Sequence, residues 1–127
     1  MYKFRYWVKN MIETIHLRRG NILKQLRRRA IRTFMDLLIL MKLRGGPMSG
    51  YDFITLIFRE FGFLPSSGSI YSTLYALERE GLIEGYWNGK KRLYTLTAKG
   101  REAAQIASAL SSSVGNLILS IFHENSS

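Results

Sequence analysis

The sequence predicts a mainly α-helical fold with one small β-hairpin. Three observations carry that prediction. Apolar residues recur at helical spacing in segments separated by glycine and proline, two strand-like runs flank Asn88-Gly89, and a long periodic stretch closes the chain. With 127 residues, 46% of them hydrophobic, the chain can bury the core of one domain.

The front of the chain reads as two weakly periodic pieces divided at Gly20-Asn21. Val8, Met11, Ile12 and Ile15 follow helical spacing, and Ile22, Leu23 and Leu26 do so again within a basic run. A stronger helical pattern starts at Ile31 and runs through Phe34, Met35, Leu37, Leu38, Met41 and Leu43. Gly45-Gly46-Pro47 stops it. Ser49 then offers an N-cap to a helix bearing Phe53, Ile54, Ile57 and Phe61, closed by Gly62 and Pro65. A third helix opens behind Ser66-Ser67-Gly68-Ser69 and ends at Gly81. Leu82–Trp87 and Arg92–Leu96 read as strands, and the Asn88-Gly89 between them is a strong hairpin signal. Thr97 caps a last helix running to about Phe122. Three helices, a hairpin and a closing helix make a winged helix-turn-helix: a basic extension over residues 1–30, the winged domain over 31–97, and a C-terminal helix over 98–127.

Charge points to the partner. Residues 1–44 hold twelve basic and two acidic side chains, so the whole net charge of +10 sits there, while residues 45–127 balance to zero. Such a segment suits a polyanion, either nucleic acid or an anionic membrane surface. Arg18, Arg19, Lys24, Arg27, Arg28, Arg29 and Arg32 form the candidate phosphate-binding arm. The absence of cysteine excludes disulfides and thiolate chemistry. The longest apolar run, Leu37–Met41, is far too short to span a membrane, and no secretory signal is visible. The expectation is a cytoplasmic protein with no stable membrane insertion. His16 and His123 stand alone, without paired carboxylates, a phosphate-cradling glycine loop or metal-ligand spacing. The chain therefore reads as a non-enzyme, with no cofactor and no metal.

At about 100° per residue, Ile70, Leu74 and Leu77 face inward from the third helix. Gly68, Ser72, Tyr75, Ala76 and Arg79 face outward, with Ser69 and Tyr71 at the flanks. Small, hydroxyl and guanidinium groups suit a helix entering a major groove, where bulk would hold the backbone away from base edges. Ser66, Ser67 and Ser69 with the free N–H groups of the helix start can bind a phosphate, or simply cap the helix. Lys90, Lys91 and Arg92 cluster at the hairpin turn, where an anion must compensate them. A phosphate or the minor groove would do so, and an ordinary soluble edge is the other reading.

Four pieces in order resemble the PadR-like transcriptional regulators: Gly46-Pro47 with Ser49-Gly50-Tyr51-Asp52; Gly68-Ser69-Ile70-Tyr71; Leu77-Glu78-Arg79-Glu80-Gly81-Leu82-Ile83; and Arg92 through Gly100. The resemblance covers about half of the chain. It implies a homodimer on a two-fold operator, with the Tyr71 helix as recognition helix and the hairpin as wing. It further implies that Tyr51 and Tyr71 lie near the DNA backbone, and that a C-terminal helix dimerises. It allows an aromatic small-molecule effector at an aromatic-lined dimer interface, for which Trp87, Tyr86 and Phe122 are the candidates. Ser49, Ser72 and Leu93 depart from the His, Pro and aromatic residue frequent in the family.

Read without the family, Ala103, Ala107, Leu110, Val114, Leu117 and Ile121 form an a/d seam over about three heptads. Ile106, Ile118, Leu119 and Phe122 widen it beyond what one winged domain covers, so a symmetric dimer is expected. Two recognition helices would then lie about 34 Å apart, one duplex turn. A rival reading uses Tyr2, Phe4, Tyr6, Trp7, Val8, Met11, Ile12 and Ile15 with flanking cations. These would serve as a membrane-surface anchor or as a non-specific nucleic-acid-binding segment.

Overall fold

The computed structural model describes residues 2–123, side chains 2, 4 and 15–17 excepted, in two compact units divided between Thr33 and Phe34. The first is a single helix, α1 (Tyr2–Thr33). It runs unbroken through Gly20-Asn21, where the periodicity suggests two pieces. A mid-helix glycine costs about 1 kcal/mol but, unlike proline, leaves the hydrogen-bond ladder intact. The side chains of Tyr2, Phe4, Ile15 and His16, all singled out by the sequence, lie outside the described set.

The second unit begins three to four residues later than the periodicity from Ile31 suggests. Phe34 turns the chain (φ −103°, ψ 18°), and α2 (Met35–Leu43) starts behind it. There follow α3 (Gly50–Phe61), α4 (Ser67–Arg79), β1 (Ile83–Asn88), β2 (Lys91–Leu96), α5 (Ala98–Ala109) and α6 (Ser111–Phe122). Helix α2 packs on α4 and α5, and α3 packs on α4. Ile39, Phe53, Ile57, Ile70, Leu74 and Ile83 are fully buried between them.

Local chemistry fixes each element. Ser49 and Asp52 close a reciprocal capping box: Asp52 N–H donates to Ser49 Oγ (3.1 Å) and Ser49 N–H to Asp52 Oδ2 (2.9 Å). Gly62 ends α3 in the left-handed region at φ 77°. Helix α4 ends in a Schellman motif, with Gly81 N–H on Glu78 O, Leu82 N–H on Leu77 O, and Gly81 at φ 75°. The strands pair antiparallel, Ile83 opposite Leu96 and Asn88 opposite Lys91. The two-residue loop is therefore Gly89-Lys90, within the four residues Asn88–Lys91 that the sequence leaves between the strands, and Asn88 and Lys91 join the ladder. Only Gly89 takes positive φ (64°), matching the type II′ preference for glycine at the first loop position. Met48 adds a bridge to Tyr94, tying the hairpin to the loop before α3.

The closing helix is not continuous. It bends by 54° between α5 and α6 at Leu110 (φ −93°, ψ 7°), just before Ser111-Ser112-Ser113. Serines hydrogen-bond locally and give up helical continuity readily. The bend divides the expected seam. Ala103 and Ala107 stay half-buried on α5, beside the fully buried Ala104, while Leu110, Val114, Leu117 and Ile121 are exposed.

Candidate nucleic-acid interface

Helix α4 is held on its inner side by Ile70, Leu74 and Leu77, all buried. Its opposite side leaves Gly68, Ser72, Tyr75 and Arg79 exposed, with Ala76 half-covered. Ser72, Tyr75, Glu78 and Arg79 line a shallow concavity along that side. Both faces lie where the helical periodicity puts them.

The serine cluster at the helix start divides its work. Ser66 is the N-cap: its Oγ accepts from Ser69 N–H (3.1 Å) and donates to Ser69 Oγ (2.9 Å). Two of the three hydroxyls are thus engaged in capping, and Ser67 remains exposed at the first helical position. The cap takes the Ser69 N–H, and the two N–H groups before it, those of Ser67 and Gly68, have no intrahelical acceptor and stay suited to an anion.

Three contacts lock α3, α4 and the hairpin into one surface. The Tyr71 ring lies across Gly50, where a Cβ would come within 2.6 Å of its Cε1 and Cζ. Lys91 Nζ sits 3.6 Å from Asp52 Oδ2. Arg92 Nη2 lies 3.4 Å from Glu78 Oε2, with its guanidinium 5.4 Å from the Trp87 ring and 5.7 Å from that of Tyr94. Gly85 leaves the space that this guanidinium occupies.

The hairpin cations therefore differ from the expected uncompensated trio. Lys91 and Arg92 find carboxylates on α3 and α4, and only Lys90, at the loop tip, has no carboxylate beside it among the described residues. Sequence reasoning misses Asp52 and Glu78 as partners. The capping-box spacing from Ser49 to Asp52 is visible, but nothing local announces a carboxylate fourteen residues from Arg92. The Asp52 carboxyl is held below its ordinary range, first by the backbone N–H of Ser49, then by the Ser49 hydroxyl and Lys91, against an opposing contribution from burial.

Tyr51 and Tyr75 stand well out into solvent and Tyr71 is 45% exposed, so all three offer hydroxyls on this surface. Trp87 is also exposed and does not cover the core. Trp87 and its neighbour Tyr86 point to opposite sides of the hairpin, as adjacent strand residues must. Lys99 Nζ donates to Glu80 O (2.9 Å) and Thr97 Oγ1 to Gly81 O (2.6 Å), anchoring the end of α4 to the start of α5.

Known proteins share this fold. A family model described as the Transcriptional regulator PadR-like family matches residues 39–106. A solved PadR-like transcriptional regulator from Bacillus cereus strain ATCC 14579 is 28% identical, with 71% of this chain and 96% of that one covered at a TM-score of 0.58. A putative transcriptional regulator from Thermoplasma acidophilum is 25% identical, covering 74% and 95% at a TM-score of 0.61. A PadR family regulator from Eggerthella lenta DSM 2243, at 24% identity, shares the fold over 80% and 96% with a TM-score of 0.62. No curated protein matches. Family model, helix order and hairpin agree, and the chain belongs to the PadR-like family of transcriptional regulators.

Proposed function

We propose that this regulator binds double-stranded DNA sequence-specifically and represses transcription as a homodimer on a two-fold operator. In this reading α4 enters the major groove and presents Gly68, Ser72, Tyr75 and Arg79 to base edges. Ser67, Ser69, Tyr51 and Tyr71 lie along the backbone, and the Lys90 tip of the hairpin follows a neighbouring phosphate or the minor groove. The observation that supports it best is the exposed outer side of α4, with α3 and the hairpin fixed beside it by Gly50–Tyr71, Asp52–Lys91 and Glu78–Arg92.

The two-fold geometry rests on α6. Leu117 is 63% exposed and Ile121 67% exposed, with Leu110 and Val114 continuing the same apolar line. A second α6 would cover them. The cations of α1, among them Arg18, Arg19, Lys24, Arg27, Arg29 and Arg32, add attraction to flanking phosphates without reading sequence. Selection of bound duplexes from a random pool tests the whole reading. A consensus of two inverted half-sites, centred about ten base pairs apart, is expected. A pool that shows no enrichment overturns it.

A further inference from the structure

Duplex binding draws on the charge of α1 and leaves its apolar side without a task. At about 100° per residue, Trp7, Met11, Ile12, Ile22, Leu23 and Leu26 share a sector about 160° wide. Their exposures run from 42% for Met11 to 61% for Trp7. Lys9, Lys24 and Arg27 fall on the opposite half. The helix carries ten cations and one carboxylate, Glu13.

We propose that α1 is an interfacial helix that docks the protein on an anionic lipid bilayer. Phosphates of a duplex would engage the cations, yet they offer nothing to an exposed row of Ile, Leu and Met. A second α1 would cover the row but would bring together two helices of formal charge +9. An anionic bilayer accommodates both features. Cations meet headgroups, the apolar sector sinks about 5–10 Å into the acyl boundary, and an indole such as that of Trp7 favours the headgroup level. Arg18, Arg19 and Arg29 fall inside the sector and Arg5 at its edge, where long arginine stems can lie along the apolar side while the guanidinium reaches the headgroups. The helix lies on the surface rather than through it: among the described residues no single helix is long and apolar enough to cross a membrane.

This inference is independent of how α4 reads DNA, and its test keeps the two apart. The full chain is sedimented with vesicles of phosphatidylcholine containing phosphatidylglycerol, and with phosphatidylcholine alone. At least tenfold stronger partition onto the anionic vesicles is expected. The triple variant Trp7→Ser, Ile12→Ser, Leu23→Ser keeps every charge. It should lose at least tenfold in vesicle partition, with duplex affinity within twofold and oligomeric state unchanged. A full chain that stays in the supernatant, or a variant that sediments like the parent, overturns the proposal. A variant that loses duplex binding or changes oligomeric state also overturns it, since the face would then belong to DNA or to another copy. A second readout needs no change in α1. With Trp87→Phe, Trp7 is the sole indole, and its emission should shift to the blue on anionic vesicles; unshifted emission contradicts docking.

Discussion

A Cβ at Gly50 would meet the far end of the Tyr71 ring, whereas a Cβ at Gly100 would overlap the backbone carbonyl of Leu82. The two glycines therefore predict different failures. In Gly50→Ala the ring swings aside at little cost, so duplex affinity should fall several-fold while the melting temperature stays within a few degrees. In Gly100→Ala the Leu82 backbone, held between the end of α4 and β1, cannot yield, and a loss of about 3 kcal/mol in chemical denaturation is expected. Asp52 supplies a pH dependence. Its carboxyl sits below the ordinary value of 3.8, so the native state favours the charged form. The stability it contributes is present above that ordinary value and is lost as pH falls through the lower, folded-state value. Urea unfolding between pH 7 and 2.5 should show this acid-side decline, and Asp52→Asn should flatten it. Ser49→Ala, which removes the other half of the box, should cost about 1–2 kcal/mol.

At the scale of elements, the hairpin is placed by charge as much as by its strands. Arg92 neutralises Glu78, which would otherwise present a bare carboxylate beside the outer side of α4. Arg92→Ala should weaken duplex binding about tenfold while changing stability by less than about 1 kcal/mol, as a half-exposed ion pair implies. Adding Glu78→Gln should recover part of the lost affinity; fluorescence anisotropy on one duplex resolves both steps. The elements also show where sequence was legible. Capping serines, glycine stops and the inward triplet of α4 depend on neighbours within a few residues, and all stand where spacing put them. The Arg92–Glu78 pair and the Tyr71–Gly50 approach join segments separated in the chain, so no local pattern reveals them. The bend at Leu110 lies between these cases. The serine run weakens the helix there, but a heptad seam continued across it reads as one rod.

Across the whole molecule, charge and apolar surface are unevenly distributed, and each distribution predicts a behaviour. Removing residues 1–29 should weaken binding to any duplex and flatten its salt dependence, by about 0.9 in log–log slope for each phosphate that is no longer neutralised. Titration of parent and truncated chains between about 50 and 200 mM salt measures this. The exposed row on α6 predicts that Leu117→Glu with Ile121→Glu yields a folded monomer by light scattering. The central claim is that two copies hold their α4 helices one duplex turn apart. Because the chain has no cysteine, Ser72→Cys introduces one spin label per protomer. Pulsed dipolar spectroscopy on this protein should give a distance near 34 Å, broadened by the label tethers. Absence of dipolar coupling, or a distance too short for the two helices to occupy successive grooves, would contradict the account.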